Sequence, residues 1–216
     1  MCNRFYTNIE KEEIQQIIAA VNRAILEMDQ KEQVHTGEIA PTNNTPVYVN
    51  AGSGAAPALM KWGFPGYLPD GSKAKTTPVI INARSETAAE KPAFRDYIYR
   101  QRCLVPANLY YEWPDTGEKK KPKFAFQPVD ASLGTFWMAA IFRQVEVNTL
   151  PVFTILTMDA SESVAPLHNR MPVILASKEA RRSWMGGERD FLGLFHDMAV
   201  RDMRHRPCGV QQVRLV

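Results

Sequence analysis

Cys103-Leu104-Val105-Pro106-Ala107-Asn108-Leu109-Tyr110-Tyr111-Glu112-Trp113 contains two short apolar runs, Cys103 to Pro106 and Tyr110 to Trp113, joined by a brief connection. Runs of this length read as strands rather than helices. Further strands are expected at Cys2 to Tyr6, Val47 to Val49, Leu59 to Trp62, Val79 to Asn82, Phe124 to Gln127, Phe136 to Phe142, Val152 to Met158, Val173 to Leu175 and Val210 to Val216. Ile14, Ile17, Ile18, Val21, Ile25 and Met28 recur at helical spacing behind a capping-box pattern of Thr7 and Glu10. Helical patterns also run from Ser85 to Tyr97, Ser177 to Trp184 and Phe191 to Met203, and Gly37 to Pro46 reads as a loop. Many short strands with few helices predict an α+β fold: a mainly antiparallel, barrel-like β-sheet with flanking helices, in a single domain over 1–216.

Composition narrows the function classes. Hydrophobic residues at 45% and charged residues at 23% are the values of an ordinary globular chain, and 216 residues suffice for one sizeable core. Twenty-six Lys and Arg against 23 Asp and Glu leave only +3, so any phosphate-binding surface must be a local patch. The run Lys119 to Lys121 with Lys123 follows the turn signal Pro114-Asp115-Thr116-Gly117 and reads as a solvated hairpin loop. Three separated cysteines, Cys2, Cys103 and Cys208, argue against a disulfide framework. His35, His168, His196 and His205 have no metal-ligand spacing, so neither a metal nor another cofactor is expected. With no signal-peptide pattern and no apolar run near the roughly 20 residues of a membrane span, a cytoplasmic monomer is expected.

Position 2 carries the most chemistry. Excision of Met1 would give Cys2 a free α-amine beside its thiol, a 1,2-aminothiol. The amine condenses with an aldehyde to an imine, and the tethered thiol closes a five-membered thiazolidine with the advantage of an intramolecular reaction. Position alone, however, does not distinguish this use from an early cysteine in a frayed terminus.

The surrounding motifs do. They are Met1-Cys2-Asn3-Arg4, Trp62-Gly63-Phe64-Pro65, Asn82-Ala83-Arg84-Ser85-Glu86-Thr87, Arg102 to Ala107 leading to Tyr111-Glu112-Trp113, and Leu167-His168-Asn169-Arg170-Met171-Pro172-Val173-Ile174-Leu175. In this order the chain closely resembles the SOS response-associated peptidase (SRAP) family of abasic-site processing proteins, from residue 1 to about residue 176. Asn3 stands where the family commonly has glycine, and Tyr67 stands one residue early for a usual second Trp.

The resemblance implies autocatalytic removal of Met1 and a thiazolidine crosslink between Cys2 and the ring-opened sugar of an abasic site in single-stranded DNA. It implies that Glu112 shuttles protons at the forming imine and that His168 helps open the sugar ring. Asn82, at the end of an apolar strand, either satisfies a local turn or, as the resemblance implies, orients the sugar. Arg4, Arg84 and Arg170 are expected to clamp phosphates. Trp62, Phe64 and Tyr67 are expected to stack on bases, and Pro41 and Thr157 match family positions lining the site. Two other readings use the same residues. One is a cysteine hydrolase with Cys2 as nucleophile and His168 as base; the other is a non-catalytic single-strand binding module.

Overall fold

The computed structural model describes residues 3–8, 12–27, 34–52, 54–66, 79–117, 119–130, 132–145 and 149–208. In chain order they form β1 (Arg4–Thr7), α1 (Glu12–Glu27), β2 (Gly37–Ile39), β3 (Asn44–Asn50), β4 (Ala55–Trp62), β5 (Asn82–Arg84), β6 (Arg102–Ala107) and β7 (Leu109–Glu112). There follow β8 (Phe124–Pro128), β9 (Phe136–Arg143), β10 (Val152–Asp159), β11 (Arg170–Pro172), α2 (Lys178–Met185), α3 (Phe191–Met198) and β12 (Met203–Pro207).

β10 organises the barrel because it is paired along both edges. In the sequence Val-Phe-Thr-Ile-Leu-Thr-Met-Asp every residue but the last is buried, a pattern that only a strand covered on both faces can carry. One edge pairs in parallel first with β4, at Phe153 and Trp62, and then with β5, at Ile155 and Asn82. The other pairs antiparallel with β9 and then with β11, where Asp159 faces Arg170. The order β4-β3-β6-β9 completes the circuit, closing the sheet on itself. Inside, Trp62 and Phe153 lie 6.4 Å apart with their rings 8° from parallel.

An antiparallel sheet, β12-β8-β7-β1-β2, packs beside the barrel. Phe5 of β1 meets Trp62 at 5.1 Å, and the Thr7 hydroxyl donates to the Pro106 carbonyl at 3.0 Å. Asn108, between β6 and β7, accepts from the Asn8 backbone N–H and donates to the Gly134 carbonyl, so the turn and the end of β1 are locked together. α1 lies on β3 and β4 with Ile17 and Val21 buried, and α2 lies on β6. Arg102 fastens that last contact. Its guanidinium donates to the carbonyls of Ile98 (2.6 Å), Trp184 (3.0 Å) and Glu188 (2.7 Å) and lies 4.2 Å over the Trp184 ring. Burial lowers its pKa to about 10, so it stays charged at neutral pH.

The barrel-like, mainly antiparallel sheet expected from the sequence is the one found, but several elements differ. Gly37 to Pro46 is not a continuous loop: β2 pairs with β1, and β3 begins at Asn44. Pro46 fits inside β3 because the pairing with β6 is confined to Tyr48 and Val49, so its missing N–H costs no ladder bond there. Ser85 to Tyr97 is one turn of 3-10 helix followed by separate turns, since Pro92 cannot donate. The Thr7 hydroxyl donates to the Pro106 carbonyl, and its expected capping partner Glu10 is not among the described residues. The third helix stops at Met198, and the strand that follows, with its Arg204-His205-Arg206 run, has no apolar alternation to announce it. Glu10, Met28 and Val210 to Val216 lie outside the described residues. No described helix is long and apolar enough to cross a membrane.

Replacing Arg102 by Met leaves three carbonyls without their donor. We expect a loss of about 3 kcal/mol, read as a lower urea midpoint at unchanged slope, with Arg102→Lys recovering only part because an ammonium cannot reach three divergent acceptors.

Candidate active site

Glu112 ends β7, and its side chain is only 2% exposed. Burial pushes its pKa up to about 7 from an ordinary 4.5. His168 reaches it from the loop between β10 and β11, with Nε2 4.0 Å from Oε2. That separation is too long for a direct hydrogen bond and short enough for one reacting atom or a water to pass a proton between them. Two sheets therefore meet at this pair, one supplying the acid and the other the imidazole.

The imidazole is set by the backbone of Arg170. Nδ1 lies 3.0 Å from the Arg170 N–H and 3.1 Å from the Arg170 carbonyl oxygen. Nδ1 is thus satisfied whether or not it carries a proton, so the ring can change its protonation without losing its orientation. Burial first, and then neighbouring positive charge including Arg170, hold the imidazole below its usual pKa.

Arg170 itself is tied inward. Its guanidinium meets both carboxylate oxygens of Glu86 at 2.9 and 2.8 Å, donates to the Thr157 carbonyl at 2.7 Å and also contacts Asp159. The phosphate clamp expected of Arg170 is corrected: the group is 6% exposed and engaged by protein acceptors. Sequence reading missed Glu86 and Asp159 as the residues that fix it. Glu86 lay within the Asn82 to Thr87 motif, but only the pairing of β5 with β10 brings it to Arg170.

Trp62 and Phe64 are also corrected, because both are fully buried. The Trp62 indole N–H donates to the Ile81 carbonyl at 2.9 Å, and the Arg143 guanidinium covers the Phe64 ring at 4.6 Å. Neither ring offers a face to a base. Thr157 is likewise buried, its hydroxyl donating to the Ala83 carbonyl at 3.3 Å. Asn82 is buried on β5 beside Ile155. Arg84 is exposed next to it, and Arg4 is half-buried on β1 opposite Tyr111. Pro41 is half-buried in the turn before β3, where Thr42 takes a positive φ of 72° and donates to the Trp62 carbonyl. Cys2 and Tyr67 lie outside the described residues. Cys103 is fully buried in apolar surroundings that push its thiol far above the ordinary range, which rules it out as a neutral-pH nucleophile. Among the described residues no three His, Cys, Asp or Glu side chains gather as a metal ion would require.

A carboxyl displaced upward binds a proton in the folded state over a window, from 4.5 to about 7, in which the unfolded chain has lost it. Folding stability that is intact below this window is therefore lost as pH rises through it. Glu112→Gln removes the loss. Denaturant unfolding across the window should show the variant gaining on the wild type by up to about 3 kcal/mol at the alkaline side, with the difference shrinking to nothing at the acid side.

A family model described as SOS response associated peptidase (SRAP) matches residues 1–211. Over 150 residues the chain is 34% identical to abasic site processing protein YobE of Bacillus subtilis, covering 68% of this chain and 66% of that protein. It is 29% identical over 190 residues to abasic site processing protein HMCES of Xenopus tropicalis, covering 73% and 56% respectively. The chain spans just under two thirds of the Bacillus relative. A crystal structure of a protein from Bacteroides thetaiotaomicron has the same fold, with a TM-score of 0.71 at 20% identity over 97% of this chain and 93% of that one. With the fold shared and the family model matched from the first residue almost to the last, this chain belongs to the SOS response associated peptidase (SRAP) family.

Proposed function

We propose that this protein binds single-stranded DNA at an abasic site and bonds to it through Cys2 once that residue has been freed of Met1 by self-processing. The relatives named above are abasic site processing proteins, and an abasic sugar supplies what an aminothiol needs, an aldehyde. The Cys2 amine adds to the aldehyde carbon to give a carbinolamine, which loses water to give an imine. The thiol sulfur then adds to the imine carbon while the nitrogen takes up the thiol proton, closing the thiazolidine. One water leaves per crosslink, and nothing is oxidised or reduced.

The observation that carries this reading is the pairing of buried Glu112 with half-buried His168 beside the first strand of the chain. Arg4 pairs with Tyr111, the residue before Glu112. Cys2 is two residues upstream of Arg4 in the sequence. A carboxyl titrating at about 7 can take a proton from the attacking amine and return it to the departing hydroxyl. His168 protonates the sugar ring oxygen and so opens the hemiacetal. Asn82 orients the sugar, Arg4 and Arg84 meet phosphates, and Pro41 lines the approach.

Denaturing gel electrophoresis tests the proposal. Met1-free protein should form a heat-stable adduct with an abasic single strand and none with an intact one. Cys2→Ala and a form retaining Met1 should form none. Glu112→Ala and His168→Ala should slow adduct formation by about a hundredfold or more, the usual scale of general acid–base catalysis. A mature protein that gives no adduct, or a Met1-retaining form that reacts at full speed, rejects the reading.

A further inference from the structure

Away from the candidate active site, the turn between α2 and α3 is surrounded by three adjoining cavities. The first, of about 460 Å³, lies between α2 and the barrel, with Tyr48, Leu104 and Trp137 on the barrel side and Lys178, Arg181 and Arg182 from the helix. The second shares Asn50 and Met185 with it and adds Arg100 and Arg102. The third shares Gly186 with the first and Tyr99, Arg100 and Gly187 with the second, and adds Arg95, Asp96 and Arg189. Seven cationic side chains thus line the three against one carboxylate, although the chain as a whole carries only +3. Arg102 is spent on internal carbonyls. Of the other six, Arg95 faces Asp96 at 3.7 Å in a solvent-exposed pair, and all but the half-buried Arg181 are exposed.

The first cavity also has a floor suited to a flat ring. Tyr48 is half-buried and meets Trp137 edge-on, with centroids 5.2 Å apart and planes at 79°. Trp137 is 3% exposed, yet its indole N–H has no hydrogen-bond partner among the described residues. That nitrogen has almost no accessible surface, so a ligand in the cavity meets Tyr48 and the cations rather than this donor. The Arg181 guanidinium lies 5.4 Å over the Trp137 ring, at the same cavity. The half-buried Tyr48 ring to stack on, with Lys178, Arg181 and Arg182 at the same cavity, suits a nucleotide. The continuation of cations towards Arg100 and Arg189 fits a run of phosphates rather than one.

We propose that this surface is a second binding site for single-stranded DNA, remote from the covalent chemistry. One nucleotide seats in the Tyr48–Trp137 cavity with its phosphate on Arg181 and Arg182, and the strand continues along Arg100, Arg95 and Arg189. The assignment rests on the proposed use of single-stranded DNA, and it adds a hold on the strand that needs no lesion.

The test is fluorescence anisotropy with an intact, labelled single strand of about 30 nucleotides, set against adduct formation on an abasic strand of about 8, near the reach of one site. Arg181→Glu with Arg182→Glu, and separately Lys178→Glu with Arg189→Glu, should weaken binding of the long strand about tenfold or more. Each pair should also flatten the salt dependence by about 1.4 in the log–log slope, for two phosphates lost. Adduct yield on the short strand at saturating protein should stay at the wild-type level. Unchanged affinity for the long strand overturns the proposal, as does an equal loss of adduct on the short strand. So does competition by free mononucleotide with no charge-pair effect on the strand, which would make the cavity a small-molecule site. Wild-type protein that binds the long strand in this charge-dependent way but never forms an adduct would sink the covalent chemistry and leave this surface standing.

Discussion

The guanidinium of Arg170 is the tie on which the candidate site depends. It joins the turn after β5, through Glu86, to the end of β10, through the Thr157 carbonyl and Asp159, and it does so from β11. The same residue's backbone holds the His168 ring. Arg170 is buried while Glu86 and Asp159 are exposed, so desolvation of the one and solvent screening of the others leave these pairs little net stability. Their effect is to exclude alternatives: a charged group held inside tolerates only an arrangement that brings acceptors to its two terminal nitrogens. The histidine's aim is therefore a by-product of where the arginine can be neutralised.

Closure of the barrel makes that arrangement rigid. β10 has neighbours along both edges, and its buried side chains leave it no face towards solvent. A strand so enclosed cannot slip by one residue without turning its whole apolar set around. Arg102 and Arg143 extend the same logic elsewhere: Arg102 donates to three backbone carbonyls and Arg143 to that of Pro65, and each buried guanidinium lies over an aromatic ring.

Much of the strand pattern was legible in the sequence because β6, β9 and β10 are runs of apolar residues that no other element could bury. β2 and β12 were not, being short or charged and existing only because β1 and β8 offer an edge. In the site, the motifs around Glu112 and His168 were recognisable, and the structure brings these two together. Trp62, Phe64 and Arg170 misled for one reason. Aromatic and cationic groups suit nucleic acid and core alike, and composition cannot say which way a side chain faces. That Arg170 faces inward follows from a pairing between strands far apart in sequence, which no local pattern encodes.

Glu112 lies in one hydrogen-bonded sheet and His168 in a loop between two strands of the other, and the sheets are seated on each other by side-chain contacts such as Phe5 on Trp62 and Thr7 on Pro106. Contacts of that sort can yield in partial openings that leave each ladder whole. Mild warming could therefore part acid from imidazole while the secondary structure reads as native, so that thermal loss of reactivity would precede cooperative melting.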